Sequence, residues 1–193
     1  MKKDIILAGV GGQGILTIAT VLGDAALRRG WHLKQAEVHG MSQRGGDVQS
    51  HLRLSSEPIW SDLIPFGQAD MILSVEPMEA LRYLPYLMPD GWLIANRTPY
   101  VNIPNYPEPD TIYKHIEAFP HHVLIDADTI AKEVKASRSM NIVMIGAAIG
   151  HLGFSTEEIE DAIKVIFARK GEVIVEANLR ALNAGITAIQ PNI

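Results

Sequence analysis

The run Asp4-Ile5-Ile6-Leu7-Ala8 leads into Gly9-Val10-Gly11-Gly12-Gln13-Gly14, and a long apolar helical pattern follows. An apolar strand that ends in glycines at G-x-G-x-x-G spacing and restarts as a helix is a strand–turn–helix unit. In such a unit the first glycine permits the tight turn and the second lets a ligand approach the backbone. The third lets helix and strand lie close, with the helix N–H groups aimed at an anion. Residues 4–9 read as a strand buried on both faces of a parallel sheet, apolar from Ile5 onward. Glu37 stands one candidate strand later, near the spacing at which dinucleotide-binding folds place a ribose ligand. The turn lacks the lysine of a P-loop, since Ile15 occupies that position.

From this start the chain reads as alternating α and β elements. Gly12 to Arg29 carries Ile15, Ile18, Ala19, Leu22 and Ala26 at helical spacing, with Arg28, Arg29 and Gly30 as a stop signal. Leu33 to Val38 is expected as a second strand, parallel to the first through a βαβ crossover. Residues 48–54 alternate, with Val48, Ser50, Leu52 and Leu54 on one face and Gln49, His51 and Arg53 on the other. This is a strand with one polar face, for a partner to cover. Ile59-Trp60 is read as a short returning strand, which would make the sheet mixed.

Further strands are expected at Ala69 to Val75, Trp92 to Ala95 and Val123 to Asp126. A helix starting at Glu76-Pro77 would bury Ala80, Leu81, Leu84, Leu87 and Met88, before a turn at Pro89-Asp90-Gly91. The proline-rich stretch from Asn96 to Asp110 reads as a stiff connection. Helices are expected at Thr111 to Phe119, Ala127 to Val134 and Asn141 to Leu152. Another follows the capping box Ser155-Thr156-Glu157-Glu158, and the last spans Glu172 to Ala184, closed by Gly185. The expectation is a single three-layer α/β/α Rossmann-like domain over residues 1–193, with a mixed, mainly parallel sheet.

Several classes of function are disfavoured by composition. The formal net charge is -5 and no basic run occurs, which argues against nucleic acid. The longest apolar candidate, Ile142 to Ile149, falls short of the ~20 residues of a membrane helix and is cut by Gly146. No leader pattern precedes the first strand, so the cytoplasm is the expected location. The chain has no cysteine. A thiol nucleophile, a thiolate-bound zinc and a thiolate-held iron–sulfur cluster are therefore all excluded on this chain. His39 and His51 lack a carboxylate cluster beside them and read as structural rather than as metal ligands; His121-His122 read as a solvated turn.

The segment Glu37 to Gly46 is the most specific feature. It gathers Glu37, His39, Ser42, Gln43 and Arg44 beside Gly40, Gly45 and Gly46, at the carboxyl end of a strand. In open α/β sheets ligands and partners bind at that edge. Arg44 has the fork geometry to grip a carboxylate or phosphate. Glu37 fits either a ribose contact or an ion pair with Arg44, and the whole loop fits a protein contact as well as catalysis.

Together these motifs resemble the gamma-type subunit or domain of the 2-oxoacid:ferredoxin oxidoreductases. The similarity rests on Gly9 to Gly14, on Glu37-Val38-His39-Gly40-Met41-Ser42-Gln43-Arg44-Gly45-Gly46, and on Ser50-His51-Leu52-Arg53. It extends to Glu76-Pro77, Glu79-Ala80-Leu81-Arg82-Tyr83-Leu84 and Asn96. Within the family, the version His39 to Gly46 resembles the small subunits of indolepyruvate ferredoxin oxidoreductases. The resemblance implies an accessory subunit in the conversion of a 2-oxoacid and coenzyme A to acyl-CoA, carbon dioxide and reduced ferredoxin. It also implies that thiamine diphosphate, Mg and 4Fe-4S clusters sit on a large partner subunit, with none on this chain. Ferredoxin and coenzyme A would be met through the complex, and a homodimer of the isolated chain is compatible with it. The family pattern matches Gly9, Gly11, Gly12, Gln13, Gly14, Arg44, Gly45 and Gly46. The two loops are expected to meet at the carboxyl edge of the sheet and face the large subunit, near coenzyme A or the substrate carboxylate. The rival readings are a stand-alone NAD(P)- or flavin-dependent reductase and a non-catalytic nucleotide-binding scaffold.

Overall fold

The computed structural model describes residues 1–39 and 45–189, the side chain of His39 excepted. A six-stranded sheet in the order β2-β3-β1-β4-β5-β6 forms its centre. The strands are β1 (Lys2–Val10), β2 (His32–His39), β3 (Asp47–Ser55), β4 (Ala69–Ser74), β5 (Leu87–Asn96) and β6 (His122–Ile125). β1, β4, β5 and β6 pair in parallel. β3 pairs antiparallel with both β1 and β2. The sheet is thus mixed and mainly parallel, as expected, but its mixed character comes from β3 and not from a strand at Ile59-Trp60. That dipeptide lies in an irregular segment with Trp60 91% exposed.

Alternation along β1 assigns the two layers of helices. Ile5 and Leu7 enter one core with α1 (Ile15–Arg28), α4 (Ala127–Glu133), α5 (Met140–Leu152), α6 (Thr156–Phe167) and α7 (Glu172–Ile189). Ile6 and Ala8 enter the opposite core with α2 (Pro77–Arg82) and α3 (Pro109–Glu117). A central strand buried on both faces explains why residues 5–10 are free of polar side chains.

Several boundaries move for local reasons. α1 begins at Ile15, not Gly12, because Gly14 is its N-cap at φ 83° and Gly12 sits at φ 101°. The left-handed region costs glycine nothing, but it cannot continue a helix. The stripe Ala80, Leu81, Leu84, Leu87, Met88 does not lie on one helix. α2 ends at Arg82, Leu84–Tyr86 is a 3-10 turn, and Leu87 opens β5, which takes in Pro89-Asp90-Gly91. The capping box forms as expected: Glu158 N–H donates to Ser155 Oγ, and Ser155 N–H donates to Glu158 Oε2. Glu158 also receives Arg29, whose Nη1 reaches the Gly153 carbonyl at 2.7 Å, so the start of α6 is tied to the end of α1.

Gly185 does not close the last helix. α7 continues past it to Ile189, and Gly185 faces Gly146 of α5. A Cβ on Gly146 would stand 2.2 Å from the Leu182 carbonyl oxygen, and one on Gly185 would stand 2.1 Å from that of Val143. The two glycines set a backbone-to-backbone crossing that no larger residue permits.

The polar face of β3 is covered by the chain itself, against the expectation that a partner would cover it. His51 is 2% exposed, and its Nδ1 accepts the Ile64 N–H at 3.0 Å. Arg53 grips the buried Asp4 carboxylate with two hydrogen bonds of 2.8 and 2.9 Å, and donates to the carbonyls of Ser61 and Leu63. These bonds fold the segment after β3 back over its polar face. A buried carboxylate stripped of such a partner is destabilising by roughly 3–5 kcal/mol.

Gly146→Ala should lower stability by roughly 1–3 kcal/mol in denaturant unfolding, because overpacking must push α5 and α7 apart. Stability should also fall on acidification. Burial, and then the Arg53 cation against the opposing pull of Asp4, hold the His51 pKa below 6.5. The unfolded chain then binds the proton first, so this contribution is complete above about pH 6.5 and is lost as pH falls towards the folded value. His151, held low mainly by burial, acts with the same sign. Unfolding midpoints measured from about pH 8 to 5 should fall, and His51→Asn should flatten the slope in part.

Candidate functional site

Gly9 to Gly14 forms the turn between β1 and α1, at the carboxyl edge of the sheet. Gly9 packs too tightly for any side chain: a Cβ there would meet Val75 at 2.4 Å. Gln13 closes the turn from within. Its Oε1 accepts the Val10 N–H at 2.8 Å, its Nε2 lies 3.5 Å from the Val75 carbonyl, and its own N–H donates to the Val10 carbonyl. Gln13 therefore ties the end of β1 to the residue that follows β4. Gly11 N–H donates to the Gly46 carbonyl at 2.9 Å. Asn141 of α5 donates its side-chain N–H to the Gly14 carbonyl at 3.2 Å.

The sequence pattern brought these residues together as a turn, and three of its donors are committed: Val10, Gly11 and Gln13 spend their N–H groups inside the protein. The N–H groups that would face an anion are those at the start of α1, where Gly14 caps the helix without a side-chain hydrogen bond. Gly12 faces open space: a Cβ there would have nothing within 4 Å.

Glu37 lies on β2, two strands from β1, because β3 stands between them. At strand spacings of 4.7–4.9 Å this carries it roughly 10 Å from the first strand, where a neighbouring second strand would lie at about half that distance. The expected parallel βαβ relation holds in direction only: β1 and β2 do not pair. Glu37 pairs with Ser50 in the β2–β3 register.

Of the second loop, Gly45 and Gly46 are described. Ser42, Gln43 and Arg44 lie outside the described residues, as does the side chain of His39. Gly46 meets the glycine turn directly, its carbonyl accepting the Gly11 N–H, while the Gly45 carbonyl accepts the Asn102 side-chain N–H at 2.7 Å. Gly11 and Gly46 thus join the end of β1 to the residue before β3.

The family resemblance named Glu76, Glu79, Tyr83 and Asn96 without a role; sequence reasoning missed that they form a polar frame around this junction with Asp47, Tyr100 and Tyr106. Asp47, at the start of β3, accepts the Tyr83 hydroxyl at 3.1 Å. Glu76 is fully buried: it caps α2 by accepting the Glu79 N–H at 2.8 Å and receives the Tyr106 hydroxyl and the Tyr100 N–H. Burial, reinforced by the neighbouring carboxylates, pushes both the Tyr83 and Tyr106 hydroxyls well above the usual phenol range. Both remain donors. Glu79 is nearly fully buried against Arg82, and burial raises its carboxyl above the usual range while the Arg82 hydrogen bond opposes that shift. Asn96 binds the Val75 carbonyl, Asp128 and the Ala127 N–H, locking the end of β5 to the start of α4. Asparagine, tyrosine and glutamate scattered over distant segments carry no periodic signal, so nothing in the pattern joined them.

Among the described residues no group of three or more His, Asp or Glu side chains is placed to hold a metal ion. No helix among them is long and apolar enough to cross a membrane.

Comparison with known proteins agrees with this architecture. Residues 4–188 match the family model described as pyruvate ferredoxin/flavodoxin oxidoreductase. The chain is 39% identical to the indolepyruvate oxidoreductase subunit IorB of Thermococcus kodakarensis, over 97% of this chain and 96% of that one. The fold is shared with the pyruvate oxidoreductase subunit PORC of Thermotoga maritima, at a TM-score of 0.74 and 22% identity, covering 96% of both chains. It is also shared with the 2-oxoglutarate:ferredoxin oxidoreductase of Magnetococcus marinus, solved with 2-oxoglutarate, coenzyme A and succinyl-CoA bound. There the TM-score is 0.75 at 21% identity, over 96% of this chain and 30% of the longer one. The matched span, running from β1 into α7 with both loops inside it, settles the assignment: this chain belongs to the pyruvate ferredoxin/flavodoxin oxidoreductase family.

Proposed function

We propose that this chain is the small, accessory subunit of a 2-oxoacid:ferredoxin oxidoreductase acting on indolepyruvate and related arylpyruvates. The observation that carries the reading is the Gly11–Gly46 junction. It joins the two family loops into one wall at the carboxyl edge of the sheet, in a chain similar over nearly its whole length to indolepyruvate oxidoreductase subunits. A larger partner subunit holds thiamine diphosphate, Mg and the 4Fe-4S clusters. This chain has no cysteine to ligate a cluster, and its described residues offer no carboxylate set for a metal, so the residues here do not fit those groups.

The work of this chain is then to complete the surface on which the partner acts. Leu16 on the first turn of α1, with Tyr100 and Val101 on the segment that binds Gly45, stands exposed around the loop junction. Val101 is 70% exposed. Apolar side chains grouped at a polar rim are the usual mark of a protein contact. Arg44 supplies a bidentate cation for a carboxylate, either of the partner or of the substrate, with coenzyme A and ferredoxin met through the complex.

The stand-alone nicotinamide reductase is disfavoured by the displacement of Glu37 from β1. The test is co-expression with the large subunit and an assay with indolepyruvate, coenzyme A and ferredoxin. The complex should be active where this chain alone is not. Arg44→Ala should lower either activity or subunit association by about tenfold or more. Unchanged activity together with unchanged association would refute the assignment of the loop.

A further inference from the structure

A second site lies behind the glycine turn. A cavity of about 360 Å³ opens between the first turns of α1 and α5, the α4–α5 connection and the start of α7. Three cations line it, Lys135, Arg138 and Lys170, and no carboxylate does. All three side chains are exposed, and none makes an ion pair among the described residues. On a chain of net charge -5 this grouping is not an average patch of surface. Unopposed cations raise the local concentration of anions and hold them by charge-assisted hydrogen bonds. Phe167, Ile174 and Ala177 add apolar surface to the lining, with Lys170 Nζ 5.2 Å from the centre of the Phe167 ring. A cleft of this size, lined by both apolar and polar groups, is in the range of small-molecule sites.

The backbone at Lys135 points the same way. α4 ends in a Schellman motif: Ala136 N–H reaches the Ala131 carbonyl at 2.8 Å and Lys135 N–H the Lys132 carbonyl at 3.0 Å. The motif puts Lys135 at φ 57°, a position where glycine is the residue of least strain. Among the described residues it alone holds a positive φ without being glycine. Lysine stands where glycine would be less strained, in the lining of the cavity. Such outliers collect at ligand clamps.

We propose that this cavity binds a small phosphorylated organic molecule. Its phosphate lies against Lys135, Arg138 and Lys170, and its apolar or flat body lies on Phe167, Ile174 and Ala177. The site shares with the glycine turn only the start of α1, where Thr17 lines the cavity and Asn141 binds Gly14. It does not depend on the subunit reading above, since it is measured on the chain alone.

The test is titration of the full chain with phenyl phosphate and with inorganic phosphate, followed by the amide signals of Ala136, Ser137 and Ala177. Phenyl phosphate should bind saturably and more tightly than inorganic phosphate. Arg138→Gln and Lys170→Gln should each weaken it by about tenfold. Lys135→Gly should weaken binding while raising the thermal unfolding midpoint, so that loss of the fold cannot account for the loss of binding. Absence of saturation at millimolar phenyl phosphate would overturn the proposal. So would equal affinity for inorganic phosphate, or undiminished affinity in both Gln variants.

Discussion

The insertion of β3 between β1 and β2 is the constraint on which the rest of the structure depends. β3 runs antiparallel to both neighbours and carries His51 and Arg53 on one face. The Arg53–Asp4 pair links β3 to β1 across the sheet, and Arg53 holds the carbonyls of Ser61 and Leu63 over the polar face. With β3 in that position, Asp47 begins beside Val10, and Gly46 arrives at the glycine turn. The same insertion moves Glu37 one strand further out. A single pairing choice thus turns a unit that looks like a dinucleotide fingerprint into one wall of a loop junction.

That junction is mostly self-satisfied. Gln13 fills the turn, Gly46 takes the Gly11 N–H, Asn102 donates to the Gly45 carbonyl, and Asn141 donates to the Gly14 carbonyl. Buried donors and acceptors left without partners are costly, so a turn that supplies its own partners is stable without a ligand. The buried carboxylate of Glu76, bound by the Tyr106 hydroxyl and two backbone N–H groups, stiffens the segment on which Tyr100 and Val101 stand. A rigid surface of this kind suits an accessory subunit, which contributes shape and positioned side chains.

Much of the fold was legible in the sequence because it is local. The buried strand, the glycine turn, the capping box at Ser155 and the apolar run of α5 each announce themselves within about ten residues. The family likewise follows from short motifs, and the matched span agrees with it. What was hidden is non-local. Alternation in residues 48–54 identifies a strand, but not the neighbours that pair with it. Nor does it reveal that Ile64 and Arg53 close its polar face. Gly185 has the look of a helix stop because glycine commonly ends helices. Only the crossing with Gly146 shows that it serves close contact instead. The run Leu84 to Met88 fits a helical stripe, yet the prolines at 85 and 89 and pairing with β4 take Leu87 into a strand. At the site, the glycines and Gln13 were legible as a turn. Asn102, Asn141, Tyr83 and Asp47 were not, since they come together only in the folded chain.

The central claim is that Gly9 to Gly14 is an interface wall and not a dinucleotide site. The most direct measurement is a calorimetric titration of the isolated chain with NADH, NADPH and FMN. The wild-type chain should show no saturable binding at millimolar nucleotide. Micromolar binding that is abolished by substitution at Gly12, on the open side of the turn, would contradict the claim.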